Sequence, residues 1–189
     1  MIVLVVDALS IMFLVVVLLW IIVPVLYGLP PIPTKPERIR KALKLANLQP
    51  NEVLYDLGAG DGRVLLQAAR EFGARAVGIE VGPIQCVLIW LRVAASGLGD
   101  QIQIRWANFY RANLQNADVV FVYATSKEVG KLAPHLEQQM KRGARLVSIS
   151  ADFPDWEPST FDDRDLIFIY EMPPKAGNIT SYLMKKAGV

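Results

Sequence analysis

Val53-Leu54-Tyr55-Asp56-Leu57-Gly58-Ala59-Gly60-Asp61-Gly62-Arg63 reads as a buried strand that runs into a glycine-rich turn and then a helix starting near Gly62. The alternation Asp56-x-Gly58-x-Gly60-x-Gly62 lets the backbone pass close to a ligand, because no side chains stand in the way. The helix behind the turn presents free N–H groups to that ligand. The acid ahead of the turn restricts what the ligand is. A carboxylate at Asp56 repels a pyrophosphate, and Arg63 stands where the dinucleotide fingerprint Gly-x-Gly-x-x-Gly needs its third glycine. No Gly-Lys-Ser/Thr follows, which excludes a Walker loop.

Outward from the turn, Arg63 to Phe72 forms a helix with Val64, Leu65, Ala68, Ala69 and Phe72 on its apolar face, ended by Gly73. The next strand, Ala76 to Glu80, ends in an acid, where a carboxylate accepts both ribose hydroxyls of a nucleoside. Pro83 opens a helix to about Ser96, and Gln101–Trp106, Asp118–Tyr123 and Arg145–Ile149 read as further strands, with a helix over Lys127–Lys141. Such alternation predicts right-handed βαβ units and a parallel sheet. Leu166–Tyr170 and Ile179–Leu183 are strand-like and joined by the short loop Pro173–Asn178, so they are expected as an antiparallel pair. The fold class is α/β: a Rossmann-like, doubly wound, seven-stranded sheet with an antiparallel last strand, preceded by one transmembrane helix.

That helix is expected because Ala8 to Leu26 carries no charge, and ~19 residues at 1.5 Å each span about 28 Å, close to a bilayer core. Trp20 and Tyr27 fall where an interfacial aromatic belt would lie. A cleavable signal peptide would need a positive start, whereas the only early charge is Asp7. Lys35, Arg38, Arg40, Lys41 and Lys44 follow the span and no Lys or Arg precedes it. The globular part is thus expected on the cytoplasmic side, or the corresponding side of an organelle membrane. Gly28 to Pro36 holds Pro30, Pro31, Pro33 and Pro36, an extended strut that reads as a spacer or as one wall of a site. The amphipathic helix Pro36–Ala46, with Ile39, Leu43 and Ala46 on one face, leads into the domain. The expected division is residues 1–27 anchor, 28–36 strut and 37–189 globular domain.

A net charge of +2 implies no strong polyanion field, and no nucleic-acid partner is expected. One cysteine, Cys86, and one histidine, His135, leave no metal-binding cluster, so no metal is expected. Cys86 is expected in the core and His135 at the surface.

A cationic nucleoside suits Asp56 and Glu80 together, and S-adenosylmethionine carries such charge in its sulfonium and ammonium groups. Asp56-Leu57-Gly58-Ala59-Gly60-Asp61-Gly62-Arg63 resembles motif I of the class I, seven-β-strand methyltransferases, with Glu80 at their post-I acid. The resemblance covers residues about 37 to 186. It implies S-adenosylmethionine as cofactor, bound by Asp56, Gly58, Ala59, Gly60, Gly62, Arg63, Glu80, Val81, Asn108, Phe109 and Tyr123. Asn108 stands where the family places an acid near the adenine, and the Asp/Asn-Pro-Pro-Tyr motif of many amino-methylating enzymes is replaced by Tyr123-Ala124-Thr125.

The amino-terminal span, the Pro30–Thr34 strut and Asp152-Phe153-Pro154-Asp155-Trp156-Glu157-Pro158 together are similar to a narrower group. These are the membrane-anchored mitochondrial protein-lysine methyltransferases acting on the adenine nucleotide translocase and on ring protein c of the ATP synthase, and their prokaryotic relatives. That likeness implies a protein substrate, substrate contacts at Pro33, Thr34, Phe153 and Trp156, and catalytic roles for Tyr123, Thr34 and Trp156. The three rings Tyr123, Phe153 and Trp156 are expected to form an apolar channel that keeps a lysine neutral. A lipid, quinone or other amphiphile is the alternative substrate, and a cofactor-binding scaffold without catalysis the alternative class.

Overall fold

The computed structural model describes residues 2–26, 33–123 and 125–188, and centres on β1 (Val53–Leu57). Around it lie β2 (Arg75–Glu80), β3 (Ile102–Trp106), β4 (Val119–Tyr123), β5 (Arg145–Ile149), β7 (Thr160–Asp162) and β8 (Ile167–Glu171). Their order is β3-β2-β1-β4-β5-β8-β7 in one seven-stranded sheet. Strands β1 to β5 run parallel, and β8 runs against both β5 and β7. A separate pair joins β6 (Trp156–Glu157) to β9 (Lys175–Ala176). The chain order turns back between β1 and β4, so a crevice opens there at the strands' carboxyl ends.

Two layers cover the sheet. On one face α2 (Pro36–Leu45), α3 (Arg63–Phe72) and α4 (Pro83–Ser96) bury Ile39, Leu43, Leu65 and Ile89 against Leu54, Phe121 and Val147. Each fully buried leucine or isoleucine contributes on the order of 2 kcal/mol. Close seating of α3 depends on Gly78, where an added Cβ would lie 2.6 Å from Leu65 Cδ1. On the other face α5 (Ser126–Gln139) and the 3-10 turn Phe109–Arg111 pack with Leu132, Leu136, Phe153, Trp156 and Tyr170.

The expected final strand pair is corrected. Residues 179–183 belong to a helix, α6 (Ile179–Ala187), and the hairpin partner of β8 is β7. Asn178 caps α6 by accepting from Ser181 N at 3.0 Å, and the positive φ of Gly188 closes it. Those local caps prevail over the strand preference of Ile179, Thr180 and Tyr182.

Ahead of the domain, α1 (Ile2–Leu26) is a helix of 25 residues that packs against α4. Its described side chains run unbroken only from Val5 to Leu18, and among the described residues no helix is long and apolar enough to cross a membrane. Tyr27, the strut as far as Ile32, and Ala124 lie outside the described residues.

Candidate active site

The register brings the turn and the acid of β2 to one level. Leu57 pairs with Ile79 on one side and Val122 on the other, so Gly58, Glu80 and Tyr123 follow side by side at the carboxyl ends of three adjacent strands. Gly58, Gly60 and Gly62 hold φ of 83°, 57° and 78°, a left-handed backbone that side-chain-bearing residues rarely adopt. The turn is anchored from β2. Gly58 N and Ala59 N both donate to Ile79 O, at 2.9 and 3.1 Å. Gly60 N donates to Glu80 Oε2 at 2.8 Å, while Val81 N and Gly82 N donate to Oε1 at 2.9 and 2.8 Å. Three amides thus aim the Glu80 carboxylate, whose four or so lone-pair sites leave room for further donors.

Asp56 is buried at the end of β1 and forms no ion pair among the described residues. Burial first, then the neighbouring Glu80 and Asp61, push its carboxyl up from 3.8 to about 8. Asp61 has the opposite fate. Arg63 Nε and Nη2 reach its two oxygens at 2.9 and 2.6 Å, and Arg92 Nη1 from α4 adds a contact at 2.8 Å. Burial opposes its ionisation, but the two guanidiniums prevail and hold it down to about 2.

Arg63 also donates through Nη1 to Thr34 O at 2.9 Å, so the end of the strut lies against the glycine turn, with Thr34 buried and Pro33 exposed. Tyr123 is half-buried on the α2 side, with the Arg38 guanidinium 5.7 Å from its ring centre. Arg38 is itself fixed by Asp165 O at 2.7 Å and Ser150 Oγ at 2.9 Å.

A buried acid without a cation beside a glycine turn, with a second acid level with that turn, fits a positively charged nucleoside and not a pyrophosphate. Likeness to known proteins agrees. Residues 56–160 match the ANTKMT methyltransferase domain. The chain belongs to that family. It is 30% identical over 130 residues to a protein-lysine N-methyltransferase of Saccharolobus islandicus, covering 68% of this chain and 81% of that one. With the mouse adenine nucleotide translocase lysine N-methyltransferase it shares 25% over 162 residues, 84% of this chain and 70% of the mouse protein. The crystal structure of an RNA methyltransferase from Salinibacter ruber with S-adenosyl-L-homocysteine is 32% identical, with a TM-score of 0.74 over 77% of this chain and 97% of that one. The chain is an S-adenosylmethionine-dependent methyltransferase.

The remaining expected residues of the methyltransferase fall in two groups. Asn108 caps the 3-10 turn, its Oδ1 accepting from Tyr110 N at 2.9 Å, and Phe109 is buried behind it. Val81 follows Glu80 and offers its carbonyl to Trp106 Nε1 at 2.8 Å. Phe153 and Trp156, by contrast, are 1% and 4% exposed and stack at 4.4 Å in the α5 layer. Tyr123 packs on the opposite face of the sheet. The three-ring channel expected from the sequence is therefore not assembled: alternation along β4 sends Tyr123, with Val119 and Phe121, to the α2–α4 layer, while Phe153 and Trp156, in the segment after β5, pack in the α5 layer. Trp156 Nε1 donates to Glu137 Oε1 at 3.0 Å and Phe153 N to Tyr170 Oη at 2.9 Å, contacts of a core support.

Cys86 is only half-buried, its thiol pushed up to about 11 by burial and by Glu80. His135 is half-buried too and pairs with Ala112 O at 2.9 Å. The part of the site that sequence reasoning missed is the Asp61 clamp. Its second cation comes from a helix thirty-one positions away, and the only local signal is the spacing of Asp61 and Arg63.

Proposed function

We propose that this methyltransferase modifies a lysine side chain of a membrane-associated protein and is anchored in the same membrane by α1. The observation that carries the site is Asp56, a carboxyl buried at the end of β1 with no cation beside it among the described residues. The lysine assignment is supported by the names of the archaeal and mouse relatives. When bound, S-adenosylmethionine supplies a methyl group made electrophilic by its sulfonium. Asp56 would meet its positive charge, Glu80 its ribose, and Val81, Asn108 and Phe109 its base, with Gly58, Ala59, Gly60 and Gly62 giving close access. Arg63 supports this set through Asp61 and Thr34.

A lysine reacts only as the neutral amine. Arg38 over Tyr123 disfavours an arriving ammonium, and the Tyr123 and Thr34 hydroxyls are proposed to orient the amine, with Pro33 beside the entrance. Phe153 and Trp156 are assigned as positioning residues for the segment after β5.

The anchor rests on the 25-residue helix of α1, about 38 Å long, whose only charged residue is Asp7. Lys35, Arg38, Arg40, Lys41 and Lys44 follow it, which favours the cytoplasmic side, or its organelle counterpart, for the domain. Residues 1–27, 28–36 and 37–189 are the proposed anchor, strut and catalytic domain.

The Salinibacter protein's description raises RNA as a second substrate class, and an anchor would serve a lipid equally. Native membranes supplied with cofactor bearing a radiolabelled methyl group separate them. The expected label is in protein, recovered as methyl-lysine after hydrolysis and lost with Asp56→Asn. Label confined to lipid or RNA would overturn the lysine assignment. Cofactor binding with no labelled fraction would leave a scaffold.

A further inference from the structure

Large apolar side chains lie exposed on one flank of the domain. Val87, Trp90 and Leu91 stand on α4 at i, i+3 and i+4, and their exposures are 57%, 63% and 53%. They oppose the buried stripe Gln85, Ile89 and Val93 of the same helix. Trp106, 71% exposed, ends β3 on the α4 face, since Ile102 and Ile104 on the same side of that strand pack into the α3–α4 layer. Its indole N–H is used by Val81 O at 2.8 Å, so the ring turns only carbon outward. Helix α4 carries no acidic side chain.

The apolar helix α1 packs against this same helix and is fastened to it at the first turn, on the side of the buried stripe. Residue 24 is proline and has no N–H, so the Trp20 carbonyl loses its partner within the helix. Gln85 Nε2, 2% exposed in the first turn of α4, donates to that carbonyl at 3.0 Å. The contact lies three residues beyond Gly82, at the carboxyl-end rim where Glu80 and the glycine turn meet.

What covers the flank follows from α1. Its consecutive residues Ile11, Met12, Phe13 and Leu14 are 62%, 58%, 67% and 59% exposed, and four consecutive positions point to all sides of a helix. A protein partner or second copy covers one side of a helix; a bilayer covers every side. The exposed α4 flank belongs to the helix against which α1 packs. Of the four tryptophans, Trp20, Trp90 and Trp106 are exposed here and Trp156 is in the core, and exposed tryptophan is favoured at a membrane–water interface.

We propose that Val87, Trp90, Leu91 and Trp106 seat in the interfacial layer of the bilayer that α1 enters, holding the cofactor end of the sheet against the membrane surface. This rests on reading α1 as an anchor. It makes the domain a docked body rather than a tethered one, with its substrate drawn from side chains at the membrane plane.

The full chain reconstituted in phosphatidylcholine–phosphatidylglycerol vesicles tests it, using lipids brominated near the head-group end of the acyl chain to quench tryptophan emission. With Trp156 shielded, Trp20→Phe, Trp90→Phe and Trp106→Phe are each expected to remove roughly a third of the quenchable signal. If Trp20→Phe removes nearly all of it and the other two change nothing, the docking proposal is overturned and the anchor stands. If Trp20→Phe changes nothing while the other two do, the flank docks and the anchor reading falls. Absence of quenching together with a doubled sedimenting mass that Trp90→Ser abolishes would identify a second copy as the occupant, and would likewise overturn the proposal.

Discussion

Asp56 and Asp61 stand on either side of the first glycines of one turn and have opposite surroundings. Asp61, at the head of α3, is gripped by Arg63 and Arg92 and stays ionised down to about pH 2. Asp56, at the end of β1, is buried among carboxylates and holds its proton up to about pH 8. The two environments act on the folded chain in opposite ways. The clamp adds stability and holds the glycines in place. The lone acid adds none and is explained only by a cation that arrives later. A turn made of a satisfied acid and an unsatisfied one is rigid and charge-selective at once.

The largest expected effect comes from removing the unsatisfied member. Asp56→Asn keeps the shape but cannot offset a buried positive charge, a loss on the order of 2 kcal/mol or more, so cofactor affinity should fall at least about 30-fold. Calorimetry measures it. Because the amide is neutral, the same variant should melt no lower than the parent without cofactor at pH 8. If Asp56→Asn binds normally, the difference between the two acids has no functional content.

Proton linkage gives a sharper form of the same contrast. Cofactor binding should drive Asp56 to its ionised form, so affinity should rise with pH by up to about tenfold per unit and level off near pH 8. Calorimetry at pH 7 in two buffers of different ionisation enthalpy should register nearly one proton released, and none for Asp56→Asn. The cofactor-free fold should show the stability counterpart. The folded chain keeps this proton to about pH 8 and the unfolded chain loses it near 3.8, so the folded state weakens as pH rises through that window. A melting temperature that is flat from pH 5 to 8 in the parent, as in Asp56→Asn, would contradict the raised value.

Only half of this contrast is legible in the sequence. Asp56, the glycines and Glu80 can be read because strand, turn and acid are local, and the βαβ rhythm from residue 53 to 149 implies the parallel part of the sheet. The clamp cannot be read, since Arg92 meets Asp61 only after α4 has packed beside α3. Thr34 reaches the turn through a backbone carbonyl, which no side-chain pattern announces. Residues 160–162 are too short to alternate visibly, and Ile179–Leu183 has strand residues overruled by the Asn178 cap. Phe153 and Trp156 are expected at the site from the likeness of residues 152–158 to the lysine-modifying group, and the structure stacks them on each other in the core, a burial that no local pattern announces.

Loosening the satisfied member should cost less, and should act on stability before binding. Asp61→Asn leaves Arg63 and Arg92 with a neutral partner. At 23% side-chain exposure the loss is at most about 2 kcal/mol, seen as a lower melting temperature at pH 7. The pH sign is opposite to that of Asp56. The stability that Asp61 contributes is present above about pH 4 and fades as pH falls toward 2, so parent and Asp61→Asn melting curves should converge in acid. A parallel offset at every pH would assign the loss to packing instead of charge.

The smallest effect separates the two cations of the clamp. Arg92 is the more exposed and contacts a single carboxylate oxygen, at 2.8 Å, besides the Asp61 carbonyl at 3.0 Å. Arg63 holds both oxygens and the strut. Arg92→Ala should therefore lower stability by about 0.5 kcal/mol, near the value of an exposed ion pair, and leave cofactor affinity within about twofold. Arg63→Ala should exceed it in both respects, because it frees Thr34 from the turn as well. Equal effects of the two would mean that Asp61 needs only counter-charge; a larger effect of Arg63 would mean that the turn needs the bidentate geometry, and with it the strut.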